Sequence, residues 1–117
     1  MALRSLSPHE LAETPTLLSS FMGRAGGRCK TVGQLLRIYR ERRIELDPGE
    51  DPHDDLRVDR FMKDMANERW REELVLRIGV FGGERRVIDG THRGIAYLAC
   101  LEDGVSADRL PALHVDC

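Results

Sequence analysis

Arg86-Val87-Ile88-Asp89-Gly90-Thr91-His92-Arg93-Gly94-Ile95-Ala96 is the stretch on which the fold turns. Its opening residues are β-rich, and Asp-Gly then marks a tight turn. Apolar residues resume at helical spacing with Ile95, Ala96, Leu98 and Ala99. A strand therefore runs through a turn into a helix. The first turn of a helix carries backbone N–H groups without intrahelical partners and a positive partial charge. That is an anion seat suited to phosphate. Gly90 permits a positive φ or a close backbone approach, and Thr91 can cap the helix or meet an anion. His92 and Arg93 add a titratable donor and a fixed cationic fork.

Upstream, Leu74 to Val80 and Arg85 to Ile88 flank Phe81-Gly82-Gly83-Glu84, the pattern of a β-hairpin. Downstream, the helix runs from Thr91 to about Glu102 and stops at Asp103-Gly104. A closing strand follows at 110–115, with Pro111 favouring its start or an edge. Before the hairpin, Asp54 or Asp55 caps a helix carrying Val58, Phe61, Met62 and Met65 at helical spacing. Thr31-x-x-Gln34 opens another, with Val32, Leu35, Leu36, Ile38 and Tyr39 on one face. Ile44-Glu45-Leu46-Asp47 alternates like a short strand and ends at Pro48-Gly49. Ser7-Pro8-His9-Glu10 is a capping box that opens a helix broken by Pro15, over about 8–22. Gly23 to Lys30 is a Gly-rich basic connector. It resembles a phosphate-binding loop only superficially, because no Gly precedes Lys30 and no strand leads in.

The chain has 117 residues, 41% hydrophobic and 32% charged, with a net charge of −2. That is the composition of a globular domain with one modest core. The acidic balance speaks against wholesale nucleic-acid binding through a basic surface. No apolar run approaches the roughly 20 residues that span a bilayer, and the first residues turn polar too soon for a signal peptide. Cys29, Cys100 and Cys117 are too far apart for a metal-ligand pattern and suit a reducing, cytoplasmic setting. The reading is a small α+β domain, a mixed sheet with helices over 44–117, preceded by an N-terminal helical arm over 1–43 whose apolar faces would suit a homodimer.

Several residues then carry chemistry. Asp89 at the strand end can hold magnesium shared with phosphates, act as a base, or simply close the turn. His92 can donate to phosphate or shuttle a proton, or be held structurally at the helix start. Arg93 can pair with phosphate or with a nearby acid. Glu45 and Asp47 share one face of their strand, as base and metal ligand or as a solvated edge. The acidic run 47–55, with His53, matches no calcium-loop spacing. Arg24, Arg28, Lys30 and the Arg40-Arg42-Arg43 cluster could meet a DNA backbone.

From Ile44 to Val115 the chain resembles the ParB/sulfiredoxin-like superfamily. The resemblance rests on the strand entering Asp47-Pro48, on Asp89-Gly90-Thr91-His92-Arg93 with its small-residue helix, and on the closing strand. It implies nucleotide phosphates held by Gly90, Thr91, His92 and Arg93. Sulfiredoxins place a cysteine directly before His-Arg, where this chain has Thr91, so that chemistry is not expected. Partitioning members add a helix-turn-helix domain, for which this sequence has no room after Val115. The free serine kinases match best at Asp89-Gly90-x-His92-Arg93. The resemblance thus implies a nucleotide-dependent phosphotransferase acting on a small hydroxyl compound such as an amino acid. ATP or ADP and Mg2+ would be its cofactors, Asp89 the metal ligand, and Glu45, Asp89 and His92 the catalytic residues. The rival expectations are a non-catalytic nucleotide-sensing or DNA-associated module, and a nuclease using the acidic loop.

Overall fold

Two reciprocal capping boxes set the first two long-range elements. The computed structural model describes residues 3–16, 20–21, 24–25, 31–44, 53–67 and 74–116. Ser7 Oγ accepts from the Glu10 amide at 3.1 Å while the Glu10 carboxylate accepts from the Ser7 amide at 3.3 Å. This starts helix α1 (Pro8–Glu13). Thr31 and Gln34 do the same at 3.2 and 2.9 Å and start helix α2 (Val32–Ile44). Each box satisfies two amide donors that the helix leaves over.

The chain begins in a strand, β1 (Leu3–Ser5), where the sequence reading expected only helical arm. The helix expected over 8–22 ends at Thr14, before Pro15, whose ring cannot sit inside a helix. Beyond it, β2 (Ser20–Phe21) and β3 (Arg24–Ala25) form a separate two-stranded ribbon. Ile44, expected to start a strand, is the last residue of α2. The run Arg40-Glu41-Arg42-Arg43 consists of good helix formers and carries the helix on. Helix α3 (His53–Ala66) starts just ahead of the expected Asp54 or Asp55 cap. The hairpin strands are β4 (Leu74–Phe81) and β5 (Glu84–Asp89), and helix α4 (Thr91–Glu102) follows. A 3-10 turn at Ala107–Arg109 precedes β6 (Leu113–Asp116).

The main sheet has the order β1-β6-β4-β5. β6 is antiparallel to β1 and parallel to β4, and β4 is antiparallel to β5. This is the mixed sheet of a small α+β fold. Gly82 and Gly83, at φ 58° and 82°, supply the two left-handed residues of a tight hairpin turn. The outer edge of β5 is covered by Pro15-Thr16: the Val87 amide donates to the Pro15 carbonyl at 2.8 Å.

Helix α4 is the centre of the core. Gly94, Ile95, Ala96, Tyr97, Leu98, Ala99 and Cys100 are all buried, which is how a helix enclosed on every side reads. It packs along α3, α2 and α1 and crosses from β5 to β6 over β4. Leu74, Leu76, Val87, Leu113 and Val115 form the sheet side of the same cluster, and Leu6, Leu11, Val32 and Leu35 join it from the N-terminal part. Residues on both sides of the expected boundary after residue 43 thus share one core. The far end of α4 is clamped by Arg40 of α2. Its guanidinium donates to the Ala99 carbonyl at 3.1 Å and pairs with Asp103 at 2.8 Å and Glu102 at 3.2 Å. Cations are favourable at a helix C-terminus, where carbonyls lack partners.

Candidate functional site

The start of α4 is built by two departures from regular backbone. On β5, Val87 faces Ile78 and Asp89 faces Arg77, so Ile88 is an extra residue in the ladder. Such a bulge bends its strand and re-aims the residues beside it. Gly90 follows at φ 97°, ψ 13°, in the left-handed region, and serves as N-cap without a side chain to cap with. A Cβ there would lie 2.5 Å from Leu76 Cδ2. Only glycine lets the backbone press this closely on the sheet. The first intrahelical bond runs from the Gly94 amide to the Gly90 carbonyl at 2.9 Å. The amides of residues 91–93 therefore precede the helical ladder, at its positive end.

These residues open into a cleft of about 410 Å³. Ile88, Asp89 and Gly90 form one side, and Thr91, His92 and Arg93 the next. Arg57 and Phe61 of α3 form the facing wall. They stand four residues apart, which puts them on one helix face. The Arg93 guanidinium lies 3.8 Å from an Asp89 carboxylate oxygen, with Asp89 65% exposed and Arg93 25% exposed. An ion pair that long and that wet holds its partners weakly. Among the described residues Arg57 has no carboxylate partner. Among the described residues, two guanidiniums and a helix N-terminus thus line one cleft with one carboxylate, Asp89. That field attracts an anion.

Five of the expected site residues come together here: Asp89, Gly90, Thr91, His92 and Arg93. Thr91 is not the cap. It is the first helical residue and is buried, because Gly90 already fills the capping position. Glu45, the expected base, lies outside the described residues, as do Asp47 and the acidic run up to residue 52. Arg57 and Phe61 escaped the sequence reading. Their four-residue spacing was visible, but the surface that face meets is set by how α3 lies on α4.

Other reactive groups are occupied structurally. Cys100 is buried, and its thiol points to the Met62 carbonyl at 3.6 Å. Burial, with Asp103 adding to it, pushes the thiol pKa up, so it is a poor nucleophile. A second hollow, of about 230 Å³ between α1 and the hairpin, holds Glu10 and Glu13. Glu10 closes the first capping box and Glu13 pairs with His9 at 3.3 Å. Among the described residues no group of three or more His, Cys, Asp or Glu side chains forms a metal cage. No helix is long and apolar enough to cross a membrane among those residues. No family model matches the chain, and no curated protein or solved structure matches it either.

Proposed function

We propose that the chain is a nucleotide-dependent phosphotransferase acting on a small hydroxyl compound, with the nucleotide phosphates seated at the start of α4. The observation that carries this reading is the cleft itself, where the amides of residues 91–93, Arg93 and His92 converge beside Asp89. The resemblance of Asp89-Gly90-Thr91-His92-Arg93 to free serine kinases supports the same chemistry. Phosphoryl transfer asks the protein mainly for positioning and charge stabilisation. The backbone donors provide both without moving, because Gly90 and the buried face of α4 fix them, and Arg93 adds its charge beside them.

Magnesium is commonly held by one or two carboxylates together with substrate phosphates rather than by a full protein cage. Asp89, exposed at the cleft edge beside the phosphate seat, suits that role. When bound, the ion would neutralise charge on the transferring phosphoryl group. His92 would donate to a phosphate oxygen, and Glu45 is the residue assigned to take the acceptor's proton.

The test is phosphate transfer from ATP or ADP to a panel of amino acids and other small alcohols, in magnesium. Turnover should be lost in Asp89→Asn and His92→Ala proteins that keep the parent's circular dichroism and melting temperature. Nucleotide binding without transfer to any acceptor would reject the catalytic reading and leave a sensing module.

A further inference from the structure

The wall contributed by α3 is not part of the Asp89–Arg93 motif. Arg57 and Phe61 line the same cleft as Ile88 and Arg93. Arg57 is exposed, and among the described residues it has no carboxylate partner, although it faces the positive end of α4. Like charges brought together across a cleft repel unless an anion lies between them. Phe61 is half-buried and braced against the core. Ile88, displaced by the bulge, is 44% exposed although it is a strand residue. The cleft lining thus combines two guanidiniums with two apolar side chains. A bare phosphate or a sugar phosphate would use only the guanidiniums.

We propose that Arg57 is the second arm of the anion clamp, and that Phe61 with Ile88 forms an apolar seat for an aromatic base. The ligand class is then a nucleotide rather than a sugar phosphate. This rests on the anion seat at the start of α4 but not on phosphoryl transfer. The phosphate lies between Arg57, Arg93 and the amides of residues 91–93. The base lies against Phe61 and Ile88, where its flat face covers the exposed surface of Ile88. Residues from two elements 36 positions apart (Arg57 and Arg93) would then have to be in place together for binding.

The experiment is calorimetric titration of the whole chain with AMP, GMP, CMP and UMP, with ribose 5-phosphate and with inorganic phosphate. Ribose 5-phosphate lacks the base, so the tightest nucleotide should exceed it by about tenfold or more, the size of one base stacked on an aromatic ring. Arg57→Ala should weaken that nucleotide and ribose 5-phosphate by the same factor. Phe61→Leu should weaken the nucleotide and leave ribose 5-phosphate unchanged. Ile88→Ser, at an exposed position, should act in the same sense and serves where Phe61→Leu lowers the melting temperature. Equal affinity for nucleotide and ribose 5-phosphate would overturn the base seat. Unchanged affinities in Arg57→Ala would overturn the clamp. Binding with this pattern but no phosphate transfer would retain the inference while rejecting the phosphotransferase. No binding of any phosphate compound would reject both.

Discussion

Replacing Gly90 with alanine tests the construction of the site most directly. The residue sits at φ 97°, where an L-residue is disfavoured by about 1–2 kcal/mol. Its new Cβ would meet Leu76 Cδ2 at 2.5 Å and an Arg93 guanidinium nitrogen at 3.0 Å. Arg93 is a flexible chain end and can yield. Leu76 is fully buried in the sheet face of the core, and forcing such a side chain aside costs about 1–3 kcal/mol. Together the loss is about 2–5 kcal/mol, a large share of the stability typical of a domain this size. Gly83→Ala is the control. It has φ 82° but nothing within 4 Å of the added Cβ, so it loses only the conformational part, about 1–2 kcal/mol. Urea unfolding of the two variants and the parent gives the difference, which isolates the contact with Leu76. If Gly90→Ala lost no more than Gly83→Ala, the close approach of this turn to the sheet would be wrong. The account of how the amides of residues 91–93 are aimed would fall with it.

Asp89→Asn removes the carboxylate 3.8 Å from Arg93; magnesium-free binding of inorganic pyrophosphate should tighten, and a weaker or unchanged titration would count against an anion seat beside Asp89. Leu11→Ala should cost about 2–5 kcal/mol in urea unfolding, because Leu11 is fully buried against α4; a loss under 1 kcal/mol would mean α1 is not part of the core. Arg40→Met should lower stability by about 0.5–1.5 kcal/mol, with the gap narrowing in high salt because the Asp103 and Glu102 pairs are partly exposed. Burial raises the Cys100 thiol and the Tyr97 phenol above their ordinary values of 9.0 and 10.0. The folded chain then keeps protons that the unfolded chain releases, so this contribution is intact below the ordinary thiol value and is lost as pH rises beyond it. The urea midpoint should accordingly fall between about pH 8 and about pH 11, and less so in Cys100→Ala; a flat profile would contradict the burial of both groups.

Local patterns carried far in this sequence. Both capping boxes, the double-glycine turn and the approximate span of α4 follow from side chains that bond their own backbone or from glycines that adopt positive φ. Those interactions are short in sequence and need no tertiary partner. The turn that opens the cleft was legible for the same reason, since strand, glycine and helix start are contiguous. β1 was not legible, because three residues have no periodicity and their pairing partner is β6 at the other end of the sequence. The bulge at Ile88 was hidden, since nothing in Arg86-Val87-Ile88-Asp89 distinguishes an extra residue from a regular one. Ile44 shows the opposite failure: its place at the head of an alternating run was outweighed by the helix already running into it. Arg57 and Phe61 belong to the cleft only through the packing of α3 on α4, a relation that no local pattern encodes.

The pairing of β1 with β6 also has a kinetic consequence. Leu3 lies opposite Asp116, so in synthesis β1 waits for β6, a strand made much later. Contacts of such long sequence separation slow folding, because the intervening chain must be ordered before they form. On the ribosome the hairpin and α4 would have formed while β1 was still an unpaired strand, with donors and acceptors open to other chains. Rearranging the order removes the wait. A circular permutant opened between α2 and α3, and joined by a short linker from residue 116 to residue 3, would make β6 and β1 neighbours in the chain while leaving the β4–β5 hairpin intact. It should refold faster than the parent while holding the same site.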